Sequence, residues 1–339
     1  MQRFKNIVKK GFNRYILDAL SAMALGLFSS LIIGLILSQI SKIPGLAFIK
    51  EFADIVSAKS PVVGSAIGVA IAYGLKCSQL TIFSSAATGA FGYTLGGPVG
   101  AYIASIFGAE IGESVSGKTK IDIILVPSTT IIAGSLAGKF VGSYISSFMT
   151  NMGSLINTAT TLHPIPMGIA VSTLMGITLT APISSAAIAI SLNMTGLAAG
   201  AATVGCCAQM IGFAVSSYRE NKLSGLVSQG IGTSMLQVSN IFKNPLILIP
   251  PTLTGAILGP LASTTFKMEN ISIGAGMGTS GLVGPLGSFT AMQGTASNSL
   301  VIFKITLLQF IAPALISLII SEFMRKKGWI KYGDMKLDL

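Results

Sequence analysis

Long apolar stretches are the feature that most limits what this chain can fold into. Tyr15 to Ile40 contains Asp18 as its single charged residue, and Ser299 to Ser321 contains only Lys304. Asp122 to Met149 contains only Lys139 beyond its opening residue. A helix of about 20 apolar residues crosses the hydrocarbon core of a bilayer and satisfies its own backbone hydrogen bonds there. The sequence therefore predicts an all-α integral membrane protein over residues 1–339.

Composition supports this class and excludes others. Apolar residues make up 51% of the chain, charged residues 10%, and the mean hydropathy is +0.76. A soluble domain of 339 residues needs more charge to cover its surface. The net charge of +11 is expected on loops that face anionic lipid headgroups, and no basic folded domain indicates nucleic-acid binding. Cys77, Cys206 and Cys207 lie in apolar or boundary segments without a CxxC spacing and are interpreted as packing residues.

A direct repeat is indicated by self-alignment with a shift of about 100 positions. Ser84-Ser85-Ala86 then meets Ser184-Ser185-Ala186, and Gly96 meets Gly196. Past these matches, the second copy contains an insertion of about 23 residues. The predicted copies are residues 61–144 and 164–263. Several transporter folds hold their solute where such repeats meet.

Breaks interrupt the apolar pattern at three places. Two of them separate short apolar stretches, at Lys76 to Gln79 and at Pro182 to Ser185. The surrounding segments, 61–95 and 164–195, could each form short spanning helices or a re-entrant hairpin. Glycine recurs within residues 271–295, which predicts a loop that dips into the bilayer.

The basic residues give an orientation, because cytoplasmic loops collect Lys and Arg. The basic segments 1–14 and 324–339 place both termini in the cytoplasm, and no signal-peptide cleavage site follows the first. An even number of crossings is required if the basic loops between the termini also face the cytoplasm, and about ten crossings place every such loop there. The basic residues of these loops are Lys118, Lys120, Arg219, Lys222 and Lys243.

Candidate site residues are polar or ionisable groups within the apolar segments. Glu110 and Glu113 share one helix face and could bind a hydroxylated solute or carry a proton; alternatively, both are solvated near the cytoplasmic end of their helix. His163, the single histidine, opens a proline-rich helix start and could bind a solute or be a plain interfacial residue.

Hydroxyl and amide groups form a second set of candidates. Thr180, Ser184, Ser185 and Asn193 cluster around the Pro182 break, where they could line a site for a neutral solute or merely satisfy their own helix. Gln209 and Gln293 can each donate and accept hydrogen bonds, as sugar hydroxyls require.

No catalytic residues, metal site or cofactor are predicted. The chain has one histidine, no Walker A sequence and no soluble segment long enough for a nucleotide-binding domain. Primary active transport by this chain alone is therefore not expected.

Two segments resemble a known family: HPIPMGIAVSTLMGITLTAPISSAAIAISL (His163 to Leu192) and GAGMGTSGLVGP (Gly274 to Pro285). They are similar to membrane proteins classed with the enzyme IIC components of the sugar phosphotransferase system, a branch in which some members are labelled toxin regulators after a clostridial perfringolysin regulator.

The resemblance implies a sugar-translocating component in a bacterial plasma membrane, a homodimer of roughly ten-helix protomers. It also implies separate IIA and IIB proteins as partners, because this chain carries neither domain. In better-known IIC components a histidine and a glutamate contact the sugar, and His163 and Glu110 or Glu113 are candidates for these two roles by residue type and setting.

Three functions follow from the sequence as alternatives. The first is a IIC-like permease that binds a small polar solute, with a sugar as the leading candidate, and moves it by alternating access. The second is a membrane sensor or regulator with a cytoplasmic partner. The third is an ion-coupled secondary transporter that uses Glu110 or Glu113 as its proton carrier.

Overall fold

The chain is helical throughout the residues that its computed structural model describes, which are 10–41, 43–57, 60–181, 183–294 and 297–337. Within them no strand forms, and an isolated bridge pairs Gly196 with Asn270. The helices long and apolar enough to cross a membrane in this part of the chain are Phe12–Ile40, Asp122–Gly142, Gly196–Ser216, Pro245–Ser263 and Asn298–Lys326. The all-α membrane class is confirmed, while the number of about ten crossings stays a prediction.

Spatial contacts divide the chain into two units, Met1–Phe148 and Met149–Leu339. The helices that belong to unit 1 are α1 (Phe12–Ile40), α2 (Ile49–Ile55), α3 (Pro61–Gly74), α4 (Gln79–Val115) and most of α5 (Asp122–Thr160). Helix α3 begins where the sequence provides a cap: the Ser60 hydroxyl accepts from the Val62 N–H, and Pro61 occupies the first turn, where its missing N–H costs nothing.

Helix α4 is interrupted near its middle by two glycines. Gly96 has φ −145° and Gly97 has φ +58°, so the backbone leaves the helical region between two helical halves. A positive φ suits glycine because it lacks a Cβ, and Pro98 then restarts the helix. The carbonyl oxygens of Gly92 and Gly100 approach each other's Cα closely enough to exclude a Cβ at either position. The two halves therefore pack against each other.

Unit 2 contains the remaining helices and a compact glycine-rich core. These helices are α6 (Pro164–Thr180), α7 (Ser185–Ser191), α8 (Gly196–Ser216), α9 (Tyr218–Val227), α10 (Val238–Lys243), α11 (Ile249–Ser263), α12 (Ser272–Ala275), α13 (Val283–Met292) and α14 (Asn298–Lys326). Helices α6, α8 and α11 pack together, and the Ser172 hydroxyl donates to the Gly255 carbonyl at 2.8 Å. A Cβ at Gly205 would collide with the Ser172 carbonyl, so these helices meet through their backbones.

The glycine-rich segment of unit 2 forms a buried hairpin of short helices. Helix α12 ends at Ala275, a non-helical turn follows, and α13 begins at Val283. Residues 274–281 are all buried. The Asn270 side-chain amide donates to Thr203 Oγ1 at 2.6 Å and to the Gly284 carbonyl at 3.0 Å, which ties the two arms together. Thr295, the last residue of the predicted re-entrant segment, lies outside the described residues.

Candidate functional site

Four polar side chains of unit 2 form one hydrogen-bonded group, which we call the hydroxyl–amide cluster. The Thr180 hydroxyl lies 2.8 Å from the Ser234 hydroxyl and donates to Gln209 Oε1 at 3.1 Å. Gln209 Nε2 donates to the Thr252 hydroxyl at 2.8 Å. Thr180, Gln209 and Ser234 are buried. Burial of these groups is stable because each has found a partner within the protein.

The positions of these side chains follow from where the helices end. Thr180 closes α6, because Ala181 precedes Pro182 and adopts the extended conformation that a residue before proline favours. Ser234 opens a short 3₁₀ turn, Ser234–Gln237, after Thr233 accepts the Met235 N–H as its cap. The first interruption therefore presents the Thr180 hydroxyl to Gln209 in the middle of α8, and the second presents the Ser234 hydroxyl to Thr180.

A cavity of about 150 Å³ lies beside the hydroxyl–amide cluster. Its walls are largely aliphatic and aromatic. The lining residues are Ile177, Thr180, Ala181, Val238, Ile241, Phe242 and Leu248. Thr180 thus belongs both to the cavity wall and to the cluster. The polar groups of the cluster are turned toward each other, so the cavity in this conformation is apolar.

Ser185, another predicted site residue, contacts the glycine-rich hairpin. Its hydroxyl donates to the Gly276 carbonyl at 2.6 Å, and a Cβ at Gly276 would collide with the Ser185 carbonyl. The hairpin also reaches the segment after α9, where the Thr279 hydroxyl donates to the Gly230 carbonyl at 2.5 Å. The break before Ser185 therefore places α7 against unwound backbone.

Two other residues predicted around this break lie at the two ends of α7. Ser184 lies directly before α7, where its carbonyl accepts from the Ile188 N–H at 3.1 Å. Asn193 is exposed and adopts φ +47° in the turn between α7 and α8. Pro182, the centre of the predicted polar lining, lies outside the described residues.

His163 and Gln293 are both exposed and lie away from the cluster along the chain. His163 precedes α6, whereas Thr180 is the last residue of that helix. At 1.5 Å per residue, the two ends of α6 are roughly 25 Å apart. His163 and the cluster therefore cannot touch the same small molecule. Gln293 directly follows α13.

Glu110 and Glu113 lie in unit 1, and both carboxylates have partners there. Glu110 Oε1 accepts from Arg14 Nε at 2.7 Å, and both side chains of this pair are about one-third exposed, at 33% and 35%. Arg14 also donates to the Leu75 carbonyl at 3.1 Å. Glu113 Oε2 accepts from the backbone N–H of Ser78, at the start of α4, at 2.7 Å. The two carboxylates thus connect α1, the turn after α3 and both ends of α4.

The cysteines fit the packing interpretation. Cys77 is buried in the turn between α3 and α4, and burial together with the Glu113 carboxylate raises the pKa of its thiol to about 11. It is therefore protonated at neutral pH. Within the described residues, no group of three or more His, Cys, Asp or Glu side chains could hold a metal ion.

Comparison with known families decides the class of the chain. Residues 17–337 match the family model described as phosphotransferase system, EIIC. The chain belongs to this EIIC family. Searches of curated proteins and of solved structures returned no match. The family and the apolar helices together make it a multi-pass membrane protein and a permease of the phosphotransferase type, a class that in general takes a sugar and works with IIA and IIB proteins.

Two members of the cluster, Ser234 and Thr252, were not among the residues predicted from the sequence. Residues 224–242 could be recognised as irregular from their composition, but hydrophobic periodicity does not show which helix a 3₁₀ turn will meet. The contact between Ser234 and Thr180 joins residues 54 positions apart and depends on the tertiary fold.

Proposed function

We propose that this EIIC protein binds a small polar solute, with a sugar as the leading candidate, at the hydroxyl–amide cluster of unit 2 and moves it by alternating access. Thr180 and Gln209 are the proposed primary contacts, with Ser234 and Ser185 beside them. The observation that carries the proposal is the location of the cluster, where two helix breaks meet a long apolar helix and an adjoining cavity.

The hydrogen bonds of the cluster suit exchange with a hydroxylated solute. Each member donates or accepts a hydrogen bond within the cluster. If the cluster opened without a solute, its buried polar groups would lose their partners, at a free-energy cost of about 1 to 3 kcal/mol for each group. A solute whose hydroxyls take over these bonds removes that penalty. The conformation seen here is then the closed one, in which protein groups occupy the positions of solute hydroxyls.

Ten crossings are proposed for the membrane domain. Counting both halves of α4 separately, and residues 183–195 as one crossing in which the seven-residue α7 covers only about 10 Å and unwound backbone the rest, gives an even number, with the hairpin of α12 and α13 as a re-entrant element. The counted segments are 12–40, 61–74, 79–95, 98–115, 122–142, 164–180, 183–195, 196–216, 249–263 and 298–326. Arg14 bonds to the Leu75 carbonyl, which supports a common side for the basic N-terminal segment and the turn at Lys76.

The proposed direct repeat is supported by a common order of elements. Both 61–144 and 164–263 contain an apolar helix, a break, a second helix, a turn with a positive φ, a third helix and a final apolar helix. The second copy differs by its shorter second helix and by the inserted residues after α8. The hydroxyl–amide cluster lies where the two copies differ, because Thr180 precedes the shorter helix and Ser234 belongs to the inserted residues.

His163, Glu110, Glu113, Ser184, Asn193 and Gln293 remain secondary candidates for solute contact. Their contacts described above support other roles in this conformation. We propose a homodimer in a bacterial plasma membrane, with both termini cytoplasmic and with IIA and IIB functions supplied by separate proteins.

A sensor or regulator is the second candidate function. It is supported by the inserted residues after α8, which fold together with the C-terminal tail into an ordered structure that a cytoplasmic protein could recognise. The ion-coupled alternative has less support, because Glu110 and Glu113 already bond to Arg14 and to the Ser78 N–H.

The test is the melting temperature of detergent-purified protein with a panel of sugars, sugar phosphates and small organic acids. A solute that binds the folded state raises this temperature. At a free concentration of about 100 times its Kd, the solute adds roughly 2.7 kcal/mol to the free energy of unfolding. Thr180→Val should abolish the shift. Thr178→Val is the matched control, because that buried hydroxyl bonds to the Leu174 carbonyl of its own helix. Equal shifts in both variants would reject the assigned site, and no shift with any solute would favour the regulator.

A further inference from the structure

The C-terminal tail, residues 327–337, folds onto the insertion segment, residues 217–244. Helix α14 ends at Lys326, and Gly328 with φ +75° turns the chain back. Met335 at the far end of the tail is fully buried in a cluster with Phe213, Ile247 and Met324. The tail is thus anchored in the packed interior of unit 2 by Ile330 and Met335, whereas most of its other residues are exposed.

A buried ion pair fixes the start of this arrangement. Arg325 Nη2 donates to Glu220 Oε1 at 2.8 Å, and the two side chains are 8% and 1% exposed. The same nitrogen donates to the Ser216 carbonyl at 2.9 Å, and the Gly333 N–H donates to Glu220 at 3.3 Å. The Arg325–Glu220 pair therefore joins the end of α14, the end of α8 and the tail.

Side-chain amides of the insertion segment bind the backbone of the tail. Gln237 Nε2 donates to the Met335 carbonyl at 3.0 Å, and Asn240 Nδ2 donates to the Lys336 carbonyl at 2.8 Å. Asn221 donates to the Met335 carbonyl and accepts from the Leu337 N–H, both at 2.8 Å. These contacts resemble strand pairing, with side-chain amides in place of a second backbone.

The same amides belong to the elements that complete the hydroxyl–amide cluster. Gln237 ends the 3₁₀ turn that Ser234 begins, and Asn240 lies in α10, next to the cavity residues Val238 and Ile241. Asn240 Nδ2 also donates to Gln237 Oε1 at 2.8 Å. A continuous series of hydrogen bonds therefore connects the tail backbone to the turn that holds Ser234 against Thr180.

We infer that the tail is a latch, in which Gln237 and Asn240 are positioning residues that hold Ser234 and α10 closed over the cavity. The inference rests on the proposed function in that it assigns the closed conformation to the solute site. Release of the tail removes bonds to Gln237, Asn221 and Asn240 together, so the 3₁₀ turn and α10 should loosen as one unit. Movement of the tail would then control access to the site from the face that carries the tail.

The test uses a cysteine reporter, Val238→Cys, in the otherwise full-length protein. Val238 lines the cavity and is 4% exposed, so a thiol there reacts slowly with a small methanethiosulfonate reagent while the latch is closed. Modification at residue 238 is measured by peptide mass spectrometry, which separates it from the native cysteines. Val301→Cys, fully buried in a different core cluster of unit 2, reports general loosening.

Two changes release the latch in different ways. Asn240→Ala removes the bonds to Gln237 and Lys336, and truncation after Asp334 removes the carbonyls of Met335 and Lys336. Each should raise the modification rate at residue 238 by about tenfold or more and leave residue 301 unchanged, as expected for local opening. Arg219→Ala is the matched control, because its exposed pair with Glu322 does not involve the tail.

An unchanged rate at residue 238 in both variants, or equal increases at 238 and 301, overturns the latch. If neither variant can be purified, hydrogen exchange of the unmodified protein gives the same decision. Amides of 234–243 and 329–337 should then exchange with one common opening rate, and independent rates overturn the inference. No solute is needed, so a failed latch is distinguishable from a failed solute assignment.

Discussion

Ser85 in unit 1 and Ser185 in unit 2 occupy matching positions of the predicted repeat but use their hydroxyls differently. The Ser85 hydroxyl donates to Thr81 of its own helix at 2.8 Å, whereas the Ser185 hydroxyl donates to Gly276, 91 positions away, at 2.6 Å. Thr88 in unit 1 likewise bonds within its helix, to Ser85. The difference follows from the helix break before Ser185, which shortens α7 and admits another element beside it.

One ion pair of unit 2 is buried far more deeply than the pair of unit 1, although the second pair of unit 2, Arg219 with Glu322, is partly exposed. In unit 1, Arg14 and Glu110 are about one-third exposed, whereas Arg325 and Glu220 in unit 2 are almost fully buried. The side-chain hydrogen bonds compared here for unit 1 thus lie within single helices or at partly exposed turns. Unit 2 depends on bonds between separate, short elements. Short elements joined by hydrogen bonds can change partners, as the proposed transport cycle requires.

The largest effect should come from Glu220→Gln. The substitution leaves Arg325 buried without its counter-charge, and removal of one partner of a buried pair destabilises by about 3 to 5 kcal/mol. The free energy of unfolding in mixed micelles, from titration with a denaturing detergent, measures this. Glu322→Gln is the control, because its pair with Arg219 is partly exposed, at 30% for Glu322 and 61% for Arg219. Similar losses for both variants would show that burial does not distinguish the pairs.

Gly205→Ala should have the next largest effect. Its Cβ would collide with the Ser172 backbone at the contact of α6 and α8, and such overpacking costs about 1 to 3 kcal/mol. Gly255→Ala is matched to it, because there the nearest atom to an added Cβ lies 3.5 Å away. The same unfolding titration compares the two. A neutral Gly205→Ala would mean that the helices of unit 2 separate more easily than their contact indicates.

Ser185→Ala and Ser85→Ala test whether the two matching serines contribute differently to stability. Loss of the Ser185 hydroxyl leaves the buried Gly276 carbonyl without this partner and should destabilise by about 1 to 2 kcal/mol. Loss of the Ser85 hydroxyl should change stability by less than about 0.5 kcal/mol, because the helix still pairs its own carbonyls. Melting temperatures of the two variants, compared side by side, provide the measurement. Equal losses would contradict the distinction between the units.

Glu110→Gln should have the smallest effect on stability. Its pair with Arg14 is partly solvated, and pairs of this kind contribute up to about 1 kcal/mol. We also expect solute uptake to remain independent of a proton gradient in both the variant and the parent. Uptake that is coupled to the gradient in the parent and uncoupled in Glu110→Gln would favour the ion-coupled alternative.

Apolar run length predicted the helical membrane class well. The Tyr15 to Ile40 run lies within α1, and the Ser299 to Ser321 run lies within α14. The helix break after Thr180 was also predicted, because Pro182 follows it, whereas the break at Gly96 within α4 was not. These features depend on local backbone chemistry that a single sequence contains.

The membership of the site could be predicted only in part. Thr180 and Gln209 were recognised as candidates, because polar groups within apolar helices are conspicuous. Ser234 was missed, since its importance depends on a contact with a distant helix. The role of the C-terminal tail was hidden for the same reason: Lys and Asp near Met335 indicate an exposed segment, and Met335 is buried by contacts with Phe213 and Ile247, which are distant in sequence.

The central claim is that the Thr180 cluster binds the transported solute, and uptake into proteoliposomes tests it most directly. With the sugar that stabilises the purified protein, we predict saturable uptake that is lost in Thr180→Val and retained in Thr178→Val. Saturable uptake that is unaffected by Thr180→Val would show that the transported solute does not bind at the Thr180 cluster.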